Sequence, residues 1–282
     1  MFRENTGLMV NVKHPSDSLA VLKRVKLWTK FFVFLCAFGL SLALLLPADA
    51  NAQRGGRGGR GTAPTAREAA PIDLTGYWVS VITEAWKLRM VTPKKGVLEM
   101  LTLNAEGRRV AEAWDPAKDE AAAEQCRSYG AANIMRVPGR LHVTWENDTT
   151  LRIDTDAGTQ TRLFHFGAPA ASPGEPSWQG YSVAEWQNAA GARGAQQRGG
   201  SLKVVTTNLR LGYIRKNGAP YSNKTVVTEY YDVNTMPNGD QWISVTTKVE
   251  DPVYFSRYYM TSSDFKKLPD GTGFNPTPCS AR

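Results

Sequence analysis

The chain has 282 residues, of which 42% are hydrophobic and 10% aromatic, enough to bury a substantial core. The formal net charge of +8 comes from the N-terminus, because residues 68–282 carry 24 basic and 23 acidic side chains. This nearly neutral body argues against a dedicated nucleic-acid-binding protein, whose folded domain would carry a basic patch.

The N-terminus has the parts of an export signal. A basic segment, residues 23–30, precedes an unbroken apolar run over 31–46, and Ala50 and Ala52 fit the small-x-small pattern of signal cleavage. The apolar run is shorter than the roughly 20 residues that a membrane-spanning helix prefers. We predict a signal peptide over residues 1–52 that is cleaved near Ala52, with an uncleaved anchor as the alternative. The mature protein would be periplasmic or secreted from a bacterium and would keep no stable membrane span.

Residues 53–71 are rich in glycine, arginine, alanine and proline, a composition that cannot bury a core. We predict a disordered linker here, followed by a single β-barrel domain over residues 72–282. Arginine-glycine repeats also bind RNA, but in an exported protein a solvated tether is the favoured interpretation. A second stretch of similar composition, residues 188–200, predicts a long loop between strands.

The folded part begins with β-structure. The alternating, aromatic-rich segment 73–86 predicts a first strand, and residues 97–103 predict a second. Residues 104–130 are the one strongly helical stretch, in which Asn104 can cap a first helix and Pro116 separates a second. We therefore expect a pair of short helices after the first two strands.

The rest of the chain reads as short strands between turn residues. The predicted strands cover roughly 140–146, 150–156, 159–166, 182–187, 201–208, 225–233, 241–249 and 255–266. Consecutive strands with tight turns form an antiparallel meander, and about ten strands rarely remain one flat sheet. We predict a mainly β fold in which the meander closes into a lipocalin-like barrel with the helical pair beside it. A β-sandwich is the alternative.

The register of residues 140–166 can be worked out from its two turns. With a two-residue turn at Ala157-Gly158 and a three-residue turn at 147–149, His142 faces Asp154. One surface then collects polar side chains, namely His142, Thr144, Glu146, Arg152, Asp154, Thr161 and His165. The other surface is apolar apart from Arg162 and consists of Leu141, Val143, Trp145, Leu151, Ile153, Phe164 and Phe166.

Two interpretations of the polar surface remain open. In the favoured one, the apolar surface is core and the polar surface is in water, with charges paired across strands. In the other, the polar surface lines a lumen, where His142 and Asp154 form a general acid–base pair and Arg152 and Glu229 contribute. The residues that would bind a ligand in such a lumen are Trp78, Trp145, Glu146 and His165.

Glu84 and Glu229 lie between apolar neighbours on predicted strands. A carboxylate in that position must be paired, protonated or exposed. Either residue is a candidate pocket acid with a raised pKa, although a paired or exposed side chain on a half-buried strand is the favoured interpretation.

Cys126 and Cys279 are the cysteines that remain in the predicted mature chain. In an exported protein they predict one disulfide that ties the C-terminus to the helical segment, with two free buried thiols as the alternative. The sequence has no metal-ligand spacing, P-loop, dinucleotide fingerprint or nucleophile elbow, so we predict neither a metal nor a cofactor.

Several segments occur in an order that is similar to a known family. They are AWDPAKDEAAAEQC, IMRVPGRLHVTWE, PSWQGYSVAEW, LKVVTTNL, PYSNKTVVTEYYD, GDQWISVTTKVEDPVYF and NPTPC. Together they resemble a large family of exported bacterial proteins of unassigned function, described as lipocalin-like. The shared features are a Trp-x-Gly-x-Ser-Val-x-x-Trp segment, a Glu-Asp-Pro strand end and a closing Cys. The resemblance covers most of residues 72–279 and implies fold and export but no activity. Many relatives have His where this chain has Tyr181, so a mechanism that used that histidine would not be shared.

Three hypotheses about function follow. The first is an exported, monomeric barrel that binds a small apolar or aromatic molecule. The second is a cofactor-independent lyase, isomerase or hydratase that uses the acid–base pair in the same barrel. The third is a structural envelope protein without a pocket. The interior discriminates between them, because an enzyme gathers ionisable groups inside, a carrier has an apolar lining, and a scaffold has a filled core.

Overall fold

The computed structural model describes residues 63–168, 174–188 and 199–282. The strands in these residues are β1 (Gly76–Val81), β2 (Arg140–Asn147), β3 (Thr150–Thr155), β4 (Gln160–Phe166), β5 (Tyr181–Asn188), β6 (Gly200–Thr207), β7 (Gly212–Arg215), β8 (Ala219–Tyr221), β9 (Val226–Thr235), β10 (Gln241–Glu250) and β11 (Tyr259–Leu268). The helices are α1 (Trp86–Arg89), α2 (Ala105–Ala113) and α3 (Pro116–Ala121), with 3-10 helices over Gln125–Tyr129 and Ile134–Arg136. The predicted signal peptide, the linker up to residue 62 and most of the predicted loop 188–200 lie outside the described residues.

Nine of these strands close into a barrel in the order β1-β11-β10-β9-β6-β5-β4-β3-β2. The predicted mainly β, lipocalin-like barrel with short helices is confirmed, and the alternative sandwich is not the fold. The neighbouring strands pair antiparallel except for β4 and β5, which pair in parallel. The prediction of a purely antiparallel meander is wrong at this point, because parallel neighbours require a crossover connection rather than a tight turn.

The register predicted for β2, β3 and β4 is confirmed along most of their length. His142 faces Asp154, as the two turns require. Near the first turn the register shifts, so that Asn147 rather than the expected Glu146 lies opposite Thr150. A β-bulge accounts for the difference, because it places one extra residue in one strand of the pair.

The apolar surface of these strands faces the inside of the barrel. The large interior side chains are at most 4% exposed and comprise Trp78, Leu141, Val143, Leu151, Ile153, Phe164, Leu202, Val204, Tyr231, Ile243, Val245 and Phe265. Trp78, Phe164 and Leu202 are completely inaccessible, so no water-sized space adjoins them. Since burial of each large apolar side chain contributes about 1.5–3 kcal/mol, this packing is a major source of the barrel's stability.

The segment before β1 packs against the barrel. Trp186 Nε1 donates a hydrogen bond to Ala66 O at 2.7 Å. Thr65 and Glu68 form a reciprocal capping box, with backbone-to-side-chain distances of 2.9 and 3.2 Å. Residues 63–71 are therefore attached to the folded domain, and the prediction of a disordered linker is wrong for them.

A second apolar cluster lies at one end of the barrel. It joins the beginning of β9, the end of β10 and the beginning of β11 to the helices and to the β7–β8 hairpin, through Leu98, Leu101, Leu103, Ala111, Leu209, Ile214, Tyr221, Val227, Val249, Phe255 and Tyr259. We call α1–α3, the two 3-10 helices and this hairpin the capping region. The strand predicted over residues 97–103 is wrong, because its leucines are buried in this cluster and pairing is limited to one bridge, from Leu103 to Phe255.

The helical pair in the capping region is confirmed. Asn104 caps α2 by accepting a hydrogen bond from Gly107 N at 2.9 Å, and Pro116 begins α3. The β7–β8 hairpin was not predicted. Its turn requires glycine, because Gly218 has a φ of +82° and a Cβ there would lie 2.1 Å from the Trp114 ring.

The predicted disulfide between Cys126 and Cys279 is present. It joins residues 153 positions apart, which holds the C-terminus against the capping region. A hydrogen bond of 2.8 Å from Thr277 N to Asp156 O fixes the same segment to the end of β3. Closing so long a loop stabilises the fold by up to about 5 kcal/mol in the chain-entropy account.

Candidate functional site

The predicted catalytic pair lies on the outer surface of the barrel. Arg152 Nε donates to Asp154 Oδ2 at 2.8 Å, and Arg152 Nη1 donates to Glu146 Oε2 at 3.3 Å. Thr161 Oγ1 donates to the other oxygen of Asp154 at 2.5 Å. The structure therefore agrees with the favoured interpretation, in which the surface around His142 is solvated and its charges are paired across strands.

The environment of this pair favours an ionised carboxylate. Partial burial by itself raises the pKa of Asp154, but the hydrogen bonds from Arg152 and Thr161 outweigh burial and the net pKa is lowered. The His142 ring stacks on the ring of Tyr77, with centroids 4.0 Å apart. These contacts stabilise a sheet surface.

The residues predicted to bind a ligand are dispersed. Trp78 is part of the packed interior. Trp145 packs against Phe166 with ring centroids 5.6 Å apart. His165 lies on the outer surface, where its ring stacks on Tyr181 at 4.9 Å, and Glu146 is bound to Arg152 on the same side of the wall. The structure does not bring these predicted residues together in one pocket.

Trp145 also lines an open depression of ≈ 360 Å³ beside the segment before β1. The charged residues at this depression are Arg67 and Asp73, and both are exposed. Asp73 already accepts hydrogen bonds of 2.9 and 2.7 Å from Thr75. This open, solvated surface is a weaker candidate for a binding site than an enclosed one.

The side chain of Glu229 faces the inside of the barrel, whereas that of His142 faces the outside. Its carboxylate accepts hydrogen bonds from Arg162, from Nη1 at 2.9 Å and from Nη2 at 2.6 Å, and both side chains are fully buried. Arg162 also donates to Tyr231 Oη at 3.3 Å and to Thr206 Oγ1 at 3.4 Å. The predicted catalytic set is therefore divided between the two sides of the barrel wall.

The buried pair of Arg162 and Glu229 is balanced in charge. Burial by itself lowers the pKa of Arg162, but the charge of Glu229 raises it and the net shift is upward. Burial also raises the pKa of Tyr231 well above its ordinary value. Arg162 is thus a permanent cation beside a carboxylate and a neutral phenol, an arrangement that satisfies its own charges.

A second group of buried arginines, which the sequence did not predict, lies in the capping region. Arg89 of α1, Arg136 of the second 3-10 helix and Arg215 of β7 line one cavity with a volume of ≈ 40 Å³. Their exposed fractions are only 8%, 9% and 7%. We call this cavity the arginine cleft, and its other walls include Leu88, Asn133, Val137, Pro138, Ile214 and Lys216.

One carboxylate forms ion pairs with two of the three arginines. Glu84 Oε1 accepts hydrogen bonds from Arg89 Nη1 and from Arg136 Nη1, both at 3.1 Å. Arg89 Nε donates to Arg136 O at 3.1 Å. Nη2 of Arg89 is buried and has no hydrogen-bond partner among the residues that the structure describes. The sequence interpretation of Glu84 as a paired carboxylate is therefore correct.

Backbone carbonyls hold the third arginine. Arg215 donates from Nη1 to Val97 O and from Nη2 to Glu99 O, both at 2.9 Å. Burial is the main cause that lowers the pKa of Arg215 and of Arg89. The nearby charge of Arg136 lowers both further, whereas Glu99 raises the pKa of Arg215 and Glu84 and Asp264 raise that of Arg89, and the net shift of each is downward. Carbonyl dipoles do not neutralise a full charge, so among the hydrogen-bonded contacts of the three arginines one carboxylate, Glu84, balances three positive charges.

The composition of the arginine cleft suits an anion. A guanidinium donates two parallel hydrogen bonds to a carboxylate or phosphate, and it holds its charge at every physiological pH. Because one water needs about 10–15 Å³ of such volume, a cavity of ≈ 40 Å³ has room for a few waters or one anionic group. Leu88, Val137 and Ile214 form the apolar part of the lining beside this group.

The arginine cleft was missed because its arginines come from three distant segments. Neither α1 nor β7 was predicted as an element, so nothing placed their arginines near residue 136. One weak signal exists, since each of the three arginines directly follows an apolar residue close to a proline or glycine. Arginine is rarely fully buried unless it is paired, so an arginine that is buried in such a segment needs a partner.

Comparison of the chain with protein-family models, with curated proteins and with solved structures found no match in any of the three. Within the described residues, no three or more His, Cys, Asp and Glu side chains are grouped in a way that could hold a metal ion. Likewise, the described part of the chain contains no helix long and apolar enough to cross a membrane. The function is therefore inferred from the geometry of the site alone.

Proposed function

We propose that this chain is an exported β-barrel protein that binds a small organic anion in the arginine cleft. The barrel is the scaffold, and the capping region at its end carries the site. The observation behind this proposal is that Arg89, Arg136 and Arg215 are each at least nine-tenths buried, while Glu84 is the carboxylate that pairs with the first two.

An anion in the arginine cleft would remove the charge imbalance. Burying a cation without a compensating charge is unfavourable, and a guanidinium group that lacks a partner strengthens the attraction for a carboxylate or phosphate. The guanidinium of Arg89 is paired with Glu84 through Nη1, but its Nη2 has no hydrogen-bond partner among the described residues and is free to donate to an anion. The guanidinium charges that are unfavourable by themselves in the cleft therefore favour the binding of an anion there.

This proposal changes the place and the charge of the predicted ligand. The sequence suggested an apolar or aromatic molecule inside the barrel, but the interior is filled by side chains such as Trp78, Phe164 and Leu202. The capping region instead offers a small cavity with charged and apolar walls. A carboxylate or phosphate on a small apolar body matches both kinds of wall.

Export is part of the proposal and is supported by the disulfide. Disulfides persist in oxidising compartments such as the periplasm and are rare in the cytosol. The predicted signal peptide and the resemblance to exported bacterial proteins point in the same direction. Fractionation of the host tests export. The chain should be recovered from the periplasm or the medium with its N-terminus near Ala52, and a chain found only in the cytoplasm would contradict export.

Calorimetric titration at constant ionic strength tests the anion site. The probes are acetate, benzoate, inorganic phosphate and the uncharged benzamide. We expect one equivalent of at least one anion to bind and benzamide not to bind. Replacing a charged hydrogen-bond donor costs about 1.5–3 kcal/mol, so Arg89→Met and Arg215→Met should each weaken anion binding by about tenfold or more.

The matched control is Arg210→Met. Arg210 is also paired with a carboxylate, Glu124, at 2.9 Å, but it is more exposed and does not line the cleft. Its replacement should leave anion affinity unchanged. Absence of binding by every anion, or equal affinity in wild type and Arg89→Met, would overturn the proposed function.

A further inference from the structure

An unusual concentration of exposed apolar side chains lies in the segment between β1 and α2. Trp86, Met90, Val91 and Met100 are 60%, 58%, 64% and 66% exposed. They are four of the seven large hydrophobic side chains that are exposed in the described residues. Single exposed apolar residues are ordinary, but several of them within one short segment indicate an interaction surface.

This exposure does not result from a loosely attached segment. Leu88 and Arg89 point into the arginine cleft, and Leu98 and Leu101 are buried in the second apolar cluster. Inward-facing residues therefore hold the segment against the capping region. The outward direction of the large apolar side chains is set by this attachment.

Exposed lysines lie between these apolar side chains in the sequence. Lys87, Lys94 and Lys95 are exposed, and Glu99 is the exposed carboxylate between residues 86 and 100. Lys87 Nζ lies 5.5 Å from the centre of the Trp86 ring. The surface is thus apolar and net positive, and we call Trp86, Lys87, Met90, Val91, Lys94, Lys95 and Met100 the apolar–basic surface.

The loop before β11 extends this surface. Thr102 Oγ1 donates to Arg257 O at 2.9 Å, which places the two segments side by side. Tyr258 in that loop and Met260 at the beginning of β11 are 52% and 53% exposed, and Arg257 is exposed as well. Lys248 Nζ lies 5.2 Å from the Tyr258 ring.

We propose that the apolar–basic surface docks on an anionic lipid surface. Tryptophan and methionine side chains enter the headgroup boundary of a bilayer, while lysines extend their ammonium groups to lipid phosphates. The mixture of residues favours lipid over a protein partner, because protein interfaces are depleted in lysine whereas membrane-surface segments are enriched in it. This inference does not depend on the anion site, since the apolar–basic side chains do not line the arginine cleft.

Vesicle co-sedimentation of the full chain tests the inference. The probes are vesicles of phosphatidylglycerol mixed with phosphatidylcholine, and vesicles of phosphatidylcholine alone. We expect binding to the anionic vesicles that weakens as salt is added. Because each lysine near such a surface contributes about 1 kcal/mol, Lys94→Gln/Lys95→Gln should bind about 30-fold more weakly. Trp86→Ser/Met90→Ser should also bind at least about tenfold more weakly.

The matched control is Met236→Ser, which removes an exposed methionine in the turn between β9 and β10, where 37% of the residue is exposed. This variant should bind as the wild type does. Equal binding by Trp86→Ser/Met90→Ser would assign vesicle binding to another part of the chain and overturn the inference. So would failure of the wild type to bind, or a dimer in gel filtration that the same variant abolishes, because a second copy would then cover the surface.

Discussion

The barrel interior and the arginine cleft both bury arginines, but they do so in opposite ways. Arg162 in the interior is matched by its own carboxylate, Glu229, with a second layer of hydroxyl groups around the pair. In the cleft, Arg89 and Arg136 share Glu84, and Arg215 is held by backbone carbonyls. The interior pair is balanced in charge, whereas the cleft is a small cavity in which three arginines have one hydrogen-bonded carboxylate.

This difference separates a structural ion pair from a binding site. A buried ion pair that is balanced in charge gains little from an added ion, although Nε of Arg162, like Nη2 of Arg89, has no hydrogen-bond partner among the described residues. A buried cation without a full partner weakens the empty fold and gains most from an added anion. Net charge within a buried cluster is therefore a better guide to function here than the number of ionisable groups.

Removing one member of the interior pair should have the largest effect on stability. Glu229→Gln leaves Arg162 as an uncompensated buried cation, so we expect a loss of about 3–5 kcal/mol in the free energy of unfolding. Urea denaturation measures this loss. Glu185→Gln is the matched control, because Glu185 pairs with Lys203 at 2.8 Å on the exposed surface, and its replacement should cost at most about 1 kcal/mol.

A second variant distinguishes loss of charge balance from loss of packing. Arg162→Met/Glu229→Leu replaces the whole pair by apolar side chains, and its free energy of unfolding should lie within about 2 kcal/mol of the wild-type value. If the double variant were as unstable as Glu229→Gln, the charge imbalance would not be the cause of the loss.

Reducing or replacing the disulfide should have the next largest effect, and it acts on the capping region. Cys126→Ser/Cys279→Ser should lose about 2–5 kcal/mol, because the unfolded chain regains the freedom of a loop that spans 153 positions. Denaturant unfolding measures the loss. Thiol titration of the unfolded, unreduced chain after signal removal should find no reactive cysteine, and two reactive thiols would disprove the disulfide.

A smaller, pH-dependent effect is expected at Asp251, which fixes the loop after β10. Burial by itself raises the pKa of Asp251, but hydrogen bonds from Thr225 at 2.5 Å and from the backbone of Ser222, Tyr254 and Val253 lower it overall. A lowered folded-state pKa gives stability that is present above the unfolded value and is lost as pH falls toward the folded value. Asp251→Asn should therefore cost about 1.5–3 kcal/mol at pH 7, and the difference should shrink below the ordinary value of 3.8. Unfolding curves at pH 7 and pH 3 measure it, and an equal difference at both would contradict this account.

The smallest effect is expected on the outer surface of the barrel. His142→Ala removes a ring stacked on Tyr77 in a solvated sheet, so the free energy of unfolding should change by no more than about 1 kcal/mol. Anion affinity should not change, because His142 does not line the arginine cleft. A loss of anion binding in this variant would move the site to the surface that the sequence first suggested.

The sequence predicted those parts of the fold that depend on local pattern. Strict alternation and turn residues determine the register of β2 and β3, so the pairing of His142 with Asp154 followed from neighbouring residues. Parallel pairing of β4 and β5 has no local signature, because the same strand pattern fits either direction. Leu98 and Leu101 looked like a strand because short apolar runs do not distinguish a strand from a loop buried by tertiary contacts.

The site was less predictable for a related physical reason. Arg162 was noticed as an exception on an apolar surface and Glu229 as a carboxylate among apolar neighbours, yet the two are 67 positions apart in sequence. Alternation along a strand says which side a residue takes but not which distant residue it meets. The proximity of the three arginines of the cleft could not be predicted for the same reason. In addition, two of them lie in short elements that have no strong periodicity.

Anomalous diffraction from crystals grown in bromide compares the two regions most directly, because bromide is a small anion that the cleft has room for. We predict a bromide peak in the arginine cleft, bounded by Arg89, Arg136 and Arg215, and none beside Arg162. Two results would contradict the distinction between a charge-balanced interior and a cationic binding site. One is a cleft without bromide in crystals whose surface sites are filled, and the other is a bromide inside the barrel.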